Sequence, residues 1–354
     1  MITSVTALRP HPGAALPPVT ERRSPAVRAV GLLVLLAVLA LAVLASLAIG
    51  ARAIPPAEVV QILLGQNTGQ NAVVITELRM PRTLIAIVAG AALGVAGALI
   101  QAVTRNPLAD PGILGINAGA SLAVVLAVAL TGISGIGFYL WFAFGGAAVA
   151  AVGVYLLGMA GHASPSPVRL ALAGVAISMT VASLVQMVIL ANANAFNEFR
   201  FWAAGSVEGR GYPVLLATGG FIAVGLVLAC CLAPALNALA LGEDAGRALG
   251  VRVGLIRGLA VAAVTVLAGA ATAAAGPIMF IGLGVPYLAR AVFGPDQRLV
   301  LPGTALAAPV LLLFADVVAR LVVLPGEIPV GVVAAILGGP AFVLIVRRPR
   351  IEAL

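Results

Sequence analysis

Lysine is absent from this 354-residue chain, so all 20 basic residues are arginine. A phosphate-cradling loop ending in Gly-Lys-Ser/Thr cannot be built without it, and any ATP hydrolysis linked to this protein sits on another polypeptide. Charge of either sign is scarce: Asp, Glu, Lys and Arg make up 9% of residues, while 62% are hydrophobic. Soluble domains carry roughly 25% charged residues, so neither a water-soluble domain nor a disordered chain fits. There are two cysteines, Cys230 and Cys231, adjacent in an apolar run. They match neither a CxxC redox motif nor a zinc site and read as small buried apolar side chains. The two histidines, His11 and His162, lie in a tail and a loop. No HExxH, GxSxG or pocketed carboxylate pair is present, which excludes the common catalytic constellations and leaves no cofactor or metal expected on this chain.

What is there is apolar sequence in long runs, with a mean hydropathy of +1.16. The charge-free stretch 29–51 is 23 residues long, enough to cross a ~30 Å hydrocarbon core at ~1.5 Å per residue. A signal peptide is the alternative there, disfavoured because its apolar region is usually only about 7–15 residues. Further spans are expected at 83–104, at two segments of 111–168 divided by the Gly132–Gly137 stretch, at 170–192, and within 211–242. Two shorter ones in 258–289 meet near Gly276-Pro277, and 299–315 and 328–346 complete ten. The fold class is thus an all-α polytopic membrane protein of ten transmembrane helices. Residues 1–28 form an N-terminal tail, 29–348 the membrane domain, and 349–354 a C-terminal tail.

Ten spans put both termini on one side. With cytoplasmic termini, fourteen arginines fall inside and six outside (52, 79, 82, 200, 210 and 320), the bias of the positive-inside rule. The net charge of +8 then reports cytoplasmic loops, not nucleic acid. Gly90, Gly94 and Gly97 place small residues where helix backbones approach closely in lipid. Packing within one bundle is favoured over a dedicated dimer face. The span interiors are nearly free of ionisable groups, unlike those of ion-coupled carriers or membrane enzymes. Asp316 is the exception, and Arg320 one turn later is its expected local partner.

Three segments break the apolar pattern. Arg79-Met80-Pro81-Arg82 precedes span two on the outer side. Arg105-Asn106-Pro107-Leu108-Ala109-Asp110-Pro111 makes a corner between spans two and three. Residues 241–250, LGEDAGRALG, read as a short polar helix with acids first, Arg247 later and Gly250 as its stop. Such a helix between membrane spans suits a groove on a motor subunit.

At these segments, together with GPIMFIGLGVPYLAR (276–290) and ADVVAR…EIPVGVVAAILGGPAFVLIVRR (315–348), the chain resembles the FecCD family, the permease subunits of ATP-binding-cassette importers for ferric siderophores, haem and vitamin B12. The resemblance covers roughly 28–348. It implies ten helices per subunit, a permease dimer (homo- or heterodimer) with the path at its interface, two ATPase subunits, an extracytoplasmic substrate-binding protein, and residence in the bacterial cytoplasmic membrane. It further implies that Arg79, Arg82 and Arg320 meet glutamates of the binding protein, and that Glu243, Asp244, Ala245, Arg247 and Leu249 of the coupling helix contact the ATPase. Where the family often has Pro-His, this chain has Pro286-Tyr287, which removes a titratable ring there.

The expected mechanism is alternating access, with ferric siderophores the leading cargo and cobalamin or haem the alternatives. A secondary transporter is the rival from another class. The path is expected to be lined by small and weakly polar side chains: Gln101, Asn117, Ser178, Ser183, Gln186 and Met187.

Overall fold

The computed structural model describes residues 24–160, 167–324 and 326–347. Most of the N-terminal tail, the last seven residues and His11 and His162 lie outside the described residues. All regular structure among the described residues is helical. Ser24 caps α1 (Pro25–Ala48) by accepting from the Val27 amide, with Pro25 at the first helical position. The first span therefore begins four residues inside the expected tail.

A short α2 (Pro56–Leu63) and α3 (Gln70–Val73) lead into a π-helical turn over Val74–Arg79 and then α4 (Met80–Thr104). Proline at 81 lacks an amide hydrogen, and the Met80 amide reaches five residues back to Ile75 O. The wide turn thus ends where the proline enters. The remaining helices are α5 (Ile116–Thr131), α6 (Ile136–Met159), α7 (Pro167–Ala191), α8 (Ala193–Ala203), α9 (Tyr212–Ala240), α10 (Glu243–Ala248), α11 (Val253–Ala275), α12 (Ile281–Phe293), α13 (Gln297–Leu321) and α14 (Val330–Val346).

Seven of the described helices are long and apolar enough to cross a membrane, and α5, α12 and α14 are shorter apolar helices. These ten coincide with the ten expected spans. The boundaries differ at α6, which stops nine residues before the end of its charge-free run, and at α13, which runs six residues past the end of its own. Asp316 and Arg320 end the run but not the helix, because they satisfy each other inside it.

α4 is the central post, and nearly every residue from Ala89 to Gln101 is buried. α13 runs antiparallel to it. A Cβ on Gly90 would lie 2.9 Å from Pro309 Cα, and one on Gly94 2.5 Å from Ala308 Cβ. A Cβ on Gly97 would lie 1.8 Å from Gly282 O of α12. The three glycines therefore serve packing within the bundle, as the sequence suggested. Cys230 and Cys231, expected to be buried, are instead exposed on α9, whose apolar surface extends past the bundle core. At 13 residues, or about 20 Å, α12 is too short to cross alone. The chain enters it through non-helical residues 276–280, with positive φ at Gly276 and Phe280. α12 begins beside Leu93 and Gly97, partway down α4.

Candidate functional site: two charged ends of one bundle

Because α4 and α13 are antiparallel, Arg79, Arg82, Asp316 and Arg320 share one end of the bundle. The α4 terminus, the corner at 105–111 and α10 share the other. At the first end, the Arg79 guanidinium donates to Leu47 O at 2.6 Å, to Ala48 O at 2.9 Å, and to Arg52 O. It thereby satisfies carbonyls that the end of α1 leaves without intrahelical donors. Arg320 donates to Ser46 O at 2.8 Å and Ile49 O at 3.2 Å, and it pairs with Asp316. Ser46 Oγ bonds Thr83 Oγ1 at 2.8 Å, tying α1 to α4.

Arg82 forks onto Asp316, with Nη2 at 2.7 Å and Nε at 3.1 Å from Oδ1, and its Nη1 meets Glu327 at 2.7 Å. Asp316 is fully buried between two guanidinium groups. None of the three arginines is a free fork. Residue exposure is 7% at Arg79 and 2% at Arg320, and the Arg82 side chain is 12% exposed. Glu327, which the sequence did not single out, completes the cluster. Its only advance signal was a lone acid just before the last apolar run.

At the opposite end, Arg105 takes a left-handed conformation that stops α4, and its side chain donates to Leu239 O at the end of α9. Asn106 Oδ1 accepts from the Leu108 amide at 2.9 Å, and Asp110 Oδ1 from the Gly112 amide at 2.8 Å. These side-chain turns, with the prolines, make the corner rigid.

α10 follows a tight turn at Gly242 (φ 119). Glu243 receives a 2.5 Å hydrogen bond from the buried Arg257 of α11 and pairs with Arg247 at 3.2 Å. The Arg257 hydrogen bond holds the Glu243 carboxyl below its ordinary range, burial opposing it only in part. Arg247 also meets Asp244 at 3.2 Å. Asp244 is fully exposed, the Arg247 side chain 58% and Leu249 65%. α10 is thus fixed through Glu243 and the buried Gly246, holds Ala245 half-buried, and presents Asp244, Arg247 and the following Leu249 to solvent. Arg257, buried in α11, is a second residue that the sequence did not single out.

The expected path residues separate into two groups. Gln101 departs from its expected place. It is fully buried, donates to Leu283 O at 3.1 Å and accepts from Arg290 at 2.7 Å, bracing α4 against α12. Asn117 is half-buried and accepts from Thr272 of α11 at 3.1 Å. Ser183, Gln186 and Met187 lie exposed on α7, and Ser178 is half-buried there. Ser183 returns its hydroxyl to Met179 O at 3.0 Å, and Thr180 does the same to Ala176 O.

Residues 38–348 match the FecCD transport family. The chain belongs to that family. Its relatives include the ferric enterobactin transport permease FepD of Escherichia coli, 45% identical over 321 residues that cover 91% of this chain and 96% of FepD. They also include the Fe(3+)-citrate import permease YfmD of Bacillus subtilis, 38% identical over 305 residues covering 86% and 90%. A solved inward-facing metal-chelate type ABC transporter superposes with a TM-score of 0.78 at 27% identity, over 89% of this chain and 98% of its own. This FecCD chain is accordingly a multi-pass transport permease, not an ATPase.

Proposed function

We propose that this permease carries a ferric siderophore into the bacterial cytoplasm, powered by two separate ATPase subunits and supplied by an extracytoplasmic binding protein. The observation that carries the reading is the contrast between the two ends. One end locks its charges into the bundle, and the other holds out a short polar helix. A helix fixed by Glu243–Arg257 yet exposed through Asp244, Arg247 and Leu249 is suited to seat on a motor subunit and pass its motion to α9 and α11. That end, with α10, the start of α1 and the end of α14, is the cytoplasmic one. The chain lacks lysine, so ATP is consumed on the partner.

The binding protein docks at the opposite end. Arg82, partly exposed and bidentate toward Asp316, is the member of the trio placed to meet a partner carboxylate. Arg79 and Arg320 hold α1 and α13 in register behind it. A second permease subunit, identical or a sister chain, covers α7. Thr180, Ser183 and Gln186 are exposed on a membrane span, and polar side chains there belong against protein or a water-filled path. Ser178, Ser183, Gln186 and Met187 then face the path, with Asn117 deeper in the bundle.

Uptake by proteoliposomes that contain the permease, its ATPase and the binding protein tests this reading. Labelled ferric siderophores should accumulate in an ATP-dependent manner, and haem and cobalamin should not. Accumulation without the ATPase would make the protein a secondary carrier.

A further inference from the structure

An apolar crevice of about 710 Å³ runs along the bundle between α1, α12 and α13, within the roughly 300–1,000 Å³ range of small-ligand sites. Every lining residue is glycine or a hydrophobic one, including Val34, Val38 and Leu41 of α1, Leu288 and Val292 of α12, and Phe314 of α13. Several of these are largely exposed, Leu41 at 65% and Phe314 at 55%. α1 contributes residues 31, 34, 35, 38, 41, 42 and 45, a single face at helical spacing. One turn before Gly31 the same face carries Arg28. Its Nε is buried and has no hydrogen-bond partner among the described residues.

Position decides what that arginine can meet. α1 has 24 residues, about 36 Å against a hydrocarbon core of about 30 Å. Its first turn, with Arg28, therefore lies at the headgroup level of one membrane face, and the crevice lies in the hydrocarbon below. α1 is pinned at its far end by Arg79 and Arg320, while near Arg28 its approach to α12 is set by Gly31 against Val292. A guanidinium at headgroup depth binds a phosphate oxygen pair, and a basic site between transmembrane helices is a recognised setting for anionic headgroups. The crevice offers no polar side chain for a partner helix to read.

We propose that this crevice is a binding site for an anionic glycerophospholipid, with the phosphate on Arg28 and an acyl chain along α1, α12 and α13. The site is independent of the transported cargo and of the face of α7 assigned to a second subunit.

The test uses the full-length chain in nanodiscs of mixed phosphatidylcholine and phosphatidylglycerol, followed by native mass spectrometry of retained lipid. The wild type should retain phosphatidylglycerol in preference. Arg28→Gln should lower that enrichment about fivefold, Arg28→Lys should keep most of it, and Val38→Trp, which fills the crevice, should release both lipids. Monodisperse elution of each variant shows that folding is intact. Wild-type enrichment in Arg28→Gln, or lipid retained by Val38→Trp, would overturn the site. So would efficient disulfide cross-linking of two chains through Val34→Cys, which would give this face to a second copy.

Discussion

Two groups of arginines in this bundle are used in opposite ways. At the Asp316 end, Arg82, Arg79 and Arg320 are turned inward, and every guanidinium is bound to a carboxylate or a helix-terminal carbonyl. At the α10 end, Arg247 pairs only with neighbours on its own short helix and stays in solvent. Buried charges are costly to leave uncompensated, whereas exposed pairs contribute little to stability. The inward-turned arginines therefore assemble the fold, and Arg247 is free to belong to a contact surface.

The sharpest way to break this contrast is Asp316→Asn. It strips the shared carboxylate from two buried arginines and should destabilise the permease by about 3–5 kcal/mol, read as loss of folded protein in a detergent thermal-shift series. Survival at wild-type stability would mean that the cluster is not structural. Glu243→Gln comes next. It removes the charge that Arg257 holds and should cost about 1–2 kcal/mol, with ATP-driven uptake falling further than stability does.

The same carboxylate gives a pH signature. Its folded-state pKa is depressed, so the stabilisation is present above the unfolded carboxylate value and lost as pH falls through the folded one. Hydrogen exchange in 243–248 should accelerate in acid, in excess of the intrinsic pH dependence, in the wild type but not in Glu243→Gln. The smallest stability effect should come from Arg247→Ala, within about 0.5 kcal/mol. If α10 seats on the ATPase, that variant should still lose coupled uptake. Normal transport would remove Arg247 from the contact.

Much of this was readable in advance because lipid imposes a simple rule: a span must be apolar for most of its length. The ten spans, the Gly90–Gly97 packing face and the Asp316–Arg320 pair followed from runs, spacing and helical turns. The end of α13 was harder to read. Charge-free runs mark where charges begin, and α13 continues through charges that satisfy one another. Gln101 was misplaced for a related reason. A glutamine in a span must find polar partners, and the sequence does not say whether these are water in a path or the carbonyl of Leu283 and the guanidinium of Arg290. Glu327 and Arg257 were not singled out because their partners, Arg82 and Glu243, are distant or separated by a turn in the chain.

Composition and periodicity by themselves determined that this is a helical membrane protein, and local motifs fixed where its polar corners lie. Only the tertiary structure decided which way each polar group faces. Hydrophobicity reports the environment a helix needs on average, while the direction of one side chain depends on neighbours brought together from far along the chain. For the arginines near residues 80 and 320, that meant carbonyls at the end of the first helix and one buried aspartate.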